Sequence, residues 1–157
     1  MTIAPALFGS AEVRWVVAQA EAELVARYGT LDGGELGLTA AEFEQPSGTF
    51  LLARVPSQHR PIGGVGLRAK GGGVGEIKRL WVPHGWRGRG IARVLMGAVE
   101  TAALELGYPA LQLETGDQQP EAVALYATSG WVRQHSDWAG GPIPVCSIHF
   151  AKVLAGP

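Results

Sequence analysis

Residues 75–100, GEIKRLWVPHGWRGRGIARVLMGAVE, join an extended apolar run to a helical one through two arginines interleaved with two glycines. Ahead of the turn, GEIKRLWV is short, β-rich and bounded by glycine and proline. Behind it, Val94, Leu95, Val99, Ala102, Ala103 and Leu106 recur at helical spacing, and Gly107 with Pro109 closes the helix. A strand feeding a helix through a glycine-rich turn gathers unpaired backbone N–H groups at the positive end of that helix, a setting that holds phosphate. Gly88 and Gly90 let the main chain approach an anion, while Arg87 and Arg89 supply charge-assisted contacts. The local field has the matching sign, since seven of the thirteen Lys and Arg residues lie between Arg68 and Arg93 against one acid, Glu76.

Outward from this turn the chain reads as one domain over residues 1–157, with no linker and no repeat. Residues Glu12 to Tyr28 predict an amphipathic helix, with Ser10 as cap and Gly29 beyond its end. Thr39-Ala-Ala-Glu42 fits a capping box opening a second, short helix that Pro46 stops. GTFLLARV, PIGGVGLRA and GEIKRLWV predict an antiparallel meander. ALQLET then predicts a buried strand, PEAVALYATSG a helix with Pro120 in its first turn, and WVRQHS and PVCSIHFAKVL two closing strands. The order α, α, β, β, β, α, β, α, β, β predicts an α/β layered domain with one mixed sheet.

Bulk properties exclude several classes. With 46% hydrophobic and 17% charged residues the chain is globular, and its formal net charge of -1 argues against general electrostatic binding to nucleic acid. The N-terminal residues lack the pattern of a signal peptide, and no apolar run reaches membrane-spanning length, so a soluble cytoplasmic protein with no membrane partner is expected. The lone Cys146 forms no internal disulfide, and His59, His84, His135 and His149 lack ligand spacing, so no metal is expected.

Two phosphate-loop families fail on the residues. Gly90 is followed by Ile91 and Ala92 where the P-loop needs Lys and Ser or Thr, and Arg93 stands where the dinucleotide fingerprint needs its third glycine. RGRGIA instead fits the R/Q-x-x-G-x-G/A pattern of the GCN5-related N-acetyltransferases (GNAT). The run from Glu76 to Glu100 resembles that superfamily's acetyl-CoA motif. LQLETGDQQPEAVALYATSGWV, residues 111–132, is similar to its next motif in the form typical of one bacterial subgroup. Together the two cover about Gly75 to Val132 in the right order.

This resemblance implies a GNAT-like fold, with an antiparallel N-terminal meander, a splayed parallel pair at the cofactor site and flanking helices. It implies that acetyl-CoA is the co-substrate, its pantetheine arm pairing with the backbone of Leu80, Trp81 and Val82. A bulge in that strand would aim a backbone N–H, that of Val82, at the thioester oxygen. The pyrophosphate would sit on the amides of Arg87, Gly88, Arg89, Gly90, Ile91 and Ala92. Gln119 stands where the family often has a cofactor-contacting Asn. Tyr126 aligns with the tyrosine that protonates the departing thiolate, and Glu76 with a carboxylate that serves some members as general base. A base is needed because an amine with a pKa of about 10 arrives protonated.

The expected activity is transfer of an acetyl group to a primary amine of a small acceptor by direct attack in a ternary complex. Asp32, Glu35, Glu42 and Glu44 lie in a stretch with no Lys or Arg from Tyr28 to Ala53, which suits a cationic acceptor. Asp32, Glu35, Glu114 and Asp137 are the candidate acceptor-binding residues. Two alternatives stay open from sequence: an inactive acyl-CoA-binding or regulatory module, and transfer to a protein or peptide amine. A homodimer through the alternating late strand Val145 to Val153 is a further expectation.

Overall fold

The Ser10 hydroxyl accepts a hydrogen bond from the Val13 N–H at 3.3 Å and so starts α1 (Ala11–Tyr28), while Gly29, at φ 82°, turns the chain out of it. The computed structural model describes residues 1–29, 31, 38–136 and 140–154. Its other elements are β1 (Thr2–Pro5), a single 3-10 turn Ala40–Phe43, β2 (Thr49–Arg54), β3 (Gly63–Gly71) and β4 (Val74–Trp81). After a 3-10 turn at His84–Trp86 come α2 (Ile91–Glu105), β5 (Ala110–Gly116), α3 (Pro120–Ala127), β6 (Val132–Gln134) and β7 (Ser147–Val153).

The strands form one seven-stranded sheet in the order β1-β2-β3-β4-β5-β7-β6. β1 to β4 make the antiparallel meander, β4 and β5 are parallel, and β7 inserts antiparallel between β5 and β6. Side chains alternate across the sheet, so β2 serves two cores. Phe50 and Leu52 join Val13 and Val16 of α1 together with Phe43. Leu51 and Ala53 join the larger cluster, where Leu95 and Val99 of α2 meet Leu67, Ile77, Leu111 and Leu113. Helices thus cover both faces of a mixed sheet, as expected from the sequence.

Three details differ from the sequence reading. The capping box forms, with the Glu42 carboxylate accepting from the Thr39 N–H at 2.9 Å, yet it opens one 3-10 turn rather than an α-helix. β1 was not anticipated: four residues ending in proline carry too little pattern, and the strand exists because β2 offers it a free edge. Of the closing runs, only three and seven residues are strand.

The feature that makes the site is a parting of β4 from β5. Their pairing runs from Val74↔Ala110 to Ile77↔Leu113 and stops there. On its other edge β4 slips register against β3: Gly66 pairs with Lys78 and Gly64 with Trp81, leaving one extra residue in β4. Arg79 adopts a left-handed φ of 57° within this bulge. A bulge bends its strand and increases local twist, which carries the end of β4 away from β5 and opens a cleft between them.

Candidate active site

Two cavities occupy the cleft. The first, about 480 Å³, is lined by α1, by the splayed ends of β4 and β5, and by Cys146 and Ser147. The second, about 440 Å³, lies between β4, the glycine-rich turn, the start of α2 and α3. Glu23, Arg27, Leu80, Trp81, Gln119 and Tyr126 line both, so these are two chambers meeting at the end of β4.

The glycine-rich turn expected to hold an anion lines the second chamber. Gly88 and Gly90 have φ of 74° and 79°, left-handed values that a side chain resists, and Gly90 caps the N-terminus of α2. Gly88, Gly90, Ile91 and Ala92 line this chamber. The N-terminus of a 15-residue helix, where the first-turn N–H groups lack helical partners, thus borders this cavity. The arginines do not act alike. Arg89 stacks over Trp86 at 4.7 Å and is exposed. The Arg87 guanidinium turns inward, donating from Nε to the Val82 carbonyl and from Nη2 to the Glu23 carboxylate, each at 2.8 Å. Arg87 thus braces the loop with its side chain, and its contribution to an anion is left to the backbone.

Glu23 is the hub of this brace and was not legible in the sequence. Besides Arg87 it accepts from the Trp81 indole N–H at 3.0 Å and pairs with Arg27 at 3.5 Å. Arg27 donates to the Gln118 carbonyl at 2.6 Å, and the Tyr28 hydroxyl accepts from the Gln118 N–H at 3.0 Å, so α1 clasps the loop between β5 and α3. The sequence carried only the i,i+4 spacing of Glu23 and Arg27 on a polar helix face, which any solvated helix shows. Arg93, also unanticipated, lines the second chamber while donating to Ser129 and Thr128 at 3.0 and 3.1 Å, which ties α2 to the end of α3.

Tyr126 projects from α3 to where the chambers meet, 6% exposed and packed against Trp131 and Phe150 at centroid distances of 6.0 and 5.6 Å. Burial pushes its phenol well above the ordinary value. Gln119 occupies the N-cap position of α3 without capping the helix through its side chain, and it lines both chambers. Leu80 and Trp81 line both chambers as well. Val82, just past the strand, lines the second, while the bulge itself lies upstream at Arg79 and Leu80.

Glu76 stands elsewhere. It lies on the paired part of β4, opposite Arg68 on one side and Gln112 on the other, and lines neither chamber. One carboxylate oxygen accepts from Arg68 at 2.8 Å and the other from Lys70 at 3.4 Å. Burial alone would raise its pKa, but the charge of Lys78, the Arg68 hydrogen bond and the charges of Arg68 and Lys70 together hold it below the usual value. The sequence placed it on the strand that borders the cleft, and the pairing of β4 with β5 ends one residue after it.

Among the candidate acceptor residues, Asp32, Glu35 and Asp137 lie outside the described residues. Glu42 is engaged with Thr39 and Arg68. Glu114 lines the first chamber, accepting from the Ser147 hydroxyl at 2.7 Å with His149 behind it at 3.8 Å. The described lining of that chamber is mixed in charge, with Arg27, Lys78 and Arg79 beside Glu23 and Glu114. Among the described residues, no three His, Cys, Asp or Glu converge as a metal site, and no helix is long and apolar enough to cross a membrane.

Comparison with known proteins agrees with this geometry. IAA acetyltransferase of Azospirillum brasilense is 35% identical over 110 residues, covering 70% of this chain and 71% of that protein. The fold is shared with a GNAT-family acetyltransferase of Staphylococcus aureus Mu50, at a TM-score of 0.76 and 16% identity over 98% of this chain and 100% of that one. It is also shared with a GNAT-family acetyltransferase of Elizabethkingia anophelis solved with acetyl-CoA bound, at a TM-score of 0.67 and 22% identity over 98% and 97% of the two chains. A model of the acetyltransferase (GNAT) family matches residues 12–131, the span from α1 through the bulged strand, the glycine-rich turn and α3, and the chain belongs to that family.

Proposed function

We propose that this acetyltransferase moves an acetyl group from acetyl-CoA to the primary amine of a small acceptor by direct attack in a ternary complex. The observation that carries this reading is the meeting of two chambers at Leu80, Trp81, Gln119 and Tyr126. The second chamber suits the pyrophosphate on the backbone N–H groups from Arg87 to Ala92, with the pantetheine running along Leu80, Trp81 and Val82 toward the junction. The first chamber admits the acceptor, and its volume of about 480 Å³ suits a small molecule. The relative's name as an IAA acetyltransferase agrees with a small-molecule acceptor.

The chemistry divides among this chain's own groups. The backbone N–H of Val82, just past the end of β4, stabilises charge on the thioester oxygen. The amine nitrogen forms a bond to the acetyl carbon, the carbon–sulfur bond breaks, and Tyr126 delivers its proton to the sulfur. Burial keeps the phenol protonated until the thiolate forms beside it, so the proton is in place when the sulfur leaves, and solvent reprotonates the tyrosinate that remains. Both substrates held at one junction need no covalent intermediate, since positioning supplies much of the acceleration. Glu76, held in its ion pairs, balances the charge of β3 and β4 beneath this site.

Calorimetric titration of acetyl-CoA into the wild type and Gly90→Asp tests the reading, followed by a thiol-release screen over primary amines. Binding that is lost in Gly90→Asp, with thiol release by wild type, supports it; binding that survives the substitution refutes the loop assignment.

A further inference from the structure

We infer that Glu114 is the proton acceptor for the incoming amine, and that Ser147 and His149 position it from the neighbouring strand. This rests on the acetyl-transfer reading above. Glu114 is the residue after Leu113, the last position of β5 that pairs with β4, and it lines the first chamber where those two strands part. Of the carboxylates that line the first chamber, Glu23 is saturated by Trp81, Arg87 and Arg27. Glu114 differs. Its Oε1 is fixed by the Ser147 hydroxyl at 2.7 Å, while Oε2 stands 3.8 Å from His149 Nε2, beyond direct hydrogen-bond length. Its side chain is 29% exposed, against 6% for His149. One oxygen is thus held by a hydroxyl, while the other stands near an imidazole on a side chain that lines the chamber.

The register makes this arrangement rigid. Glu114 pairs with His149, and Gly116 with Ser147, across β5 and β7, and residues two apart share one face. Glu114 and Ser147 therefore line one wall of the first chamber, and His149 packs behind Glu114 on the same face. Facing them, β4 contributes Lys78 and Arg79, and α1 contributes Glu23, Arg27 and Tyr28. The proton lost by the amine nitrogen as its bond to the acetyl carbon forms passes to Glu114 Oε2, and from there to His149 or to solvent at the chamber mouth.

Ethylamine and trifluoroethylamine test the assignment in a thiol-release assay with the full chain, because the first is protonated near neutral pH and the second is largely neutral. Glu114→Gln keeps the shape and an acceptor for Ser147. It is expected to slow turnover of ethylamine about 100-fold, to slow trifluoroethylamine much less, and to leave KM for acetyl-CoA unchanged. His149→Gln is expected to slow ethylamine more than trifluoroethylamine, in the same direction as Glu114→Gln but by less, because the carboxylate loses the imidazole that positions it; a purely structural His149 would lower Tm and slow both amines equally. Equal losses for both amines, or an unaltered rate in Glu114→Gln, would overturn the assignment while leaving acetyl transfer intact. Absence of thiol release from wild type with every amine would instead overturn acetyl transfer and the role of Glu114 together.

Discussion

At the scale of single residues, conformation and charge separate cleanly at Gly90. Its φ of 79° costs an ordinary side chain about 1–2 kcal/mol, whereas Asn and Asp tolerate that region better. Gly90→Asp and Gly90→Asn therefore impose similar strain but differ in charge. Isothermal titration is expected to show acetyl-CoA affinity reduced about 100-fold or more by Asp and several-fold less by Asn, since only Asp opposes the anion at the helix terminus. Tyr126→Phe is expected to lower kcat about 100-fold while leaving KM for acetyl-CoA within twofold of wild type. Because burial raises the phenol's pKa, the basic limb of the wild-type pH–rate profile should persist in Tyr126→Phe; its disappearance would assign that limb to Tyr126 and contradict a donor kept protonated until the sulfur leaves.

Glu76 makes its prediction through stability. Its pKa is depressed in the folded chain, so its contribution is complete above the unfolded carboxylate value of about 4.3 and is lost as pH falls through the lower folded value. Melting temperature should therefore fall on acidification below about pH 4, and less steeply in Glu76→Gln. At neutral pH the same substitution leaves Arg68 and Lys70 facing a neutral amide and is expected to cost on the order of 3 kcal/mol, measured by urea unfolding. A variant as stable as wild type would mean that the ion pairs contribute nothing net.

At the scale of elements, the site depends on where β4 leaves β5 and on how α1 holds the loop after β5. A Cβ at Gly116 would lie 1.7 Å from the Tyr28 hydroxyl, so Gly116→Ala must push the end of α1 outward and break the clasp through Gln118. The expected cost is about 1–3 kcal/mol with weakened binding of acceptor and cofactor alike, because α1 lines both chambers. Thermal melts of Gly116→Ala, Tyr28→Ala and the double variant check this: the two effects should be strongly non-additive, since Tyr28→Ala removes the group that the new Cβ would strike. The glycine-rich turn works at this scale too. Gly88 and Gly90 shape the turn, Trp86 and Arg89 stack on its outside, and Arg87 ties it to β4 and α1, so an anion meets a cradle already formed.

At the scale of the whole molecule, the elements from α1 to β5 were legible because each carries its own punctuation. Ser10 and Gly29 bracket α1, Gly90 and Gly107 bracket α2, and Pro120 opens α3. The glycine-rich turn before α2 was legible for the same reason, being one continuous run whose charge and glycines stand together. β1 was missed because four residues have no period, and the second helix was overstated because a capping box specifies a start and says nothing about length. Glu76 was placed by alignment on the correct strand, but whether it faces the cleft depends on the pairing of that strand with one lying over thirty residues away.

The sequence by itself determined the local conformations, the mixed sheet and the positive turn, because caps, periodicity and left-handed glycines act over a few residues. Only the tertiary structure decided which carboxylate meets the cleft. Glu76, Glu114 and Glu23 are chemically alike, and their roles diverge through non-local geometry. Glu76 is buried between Arg68 and Lys70, Glu23 is bound by a loop 64 residues away, and Glu114 is set at the point where two strands part.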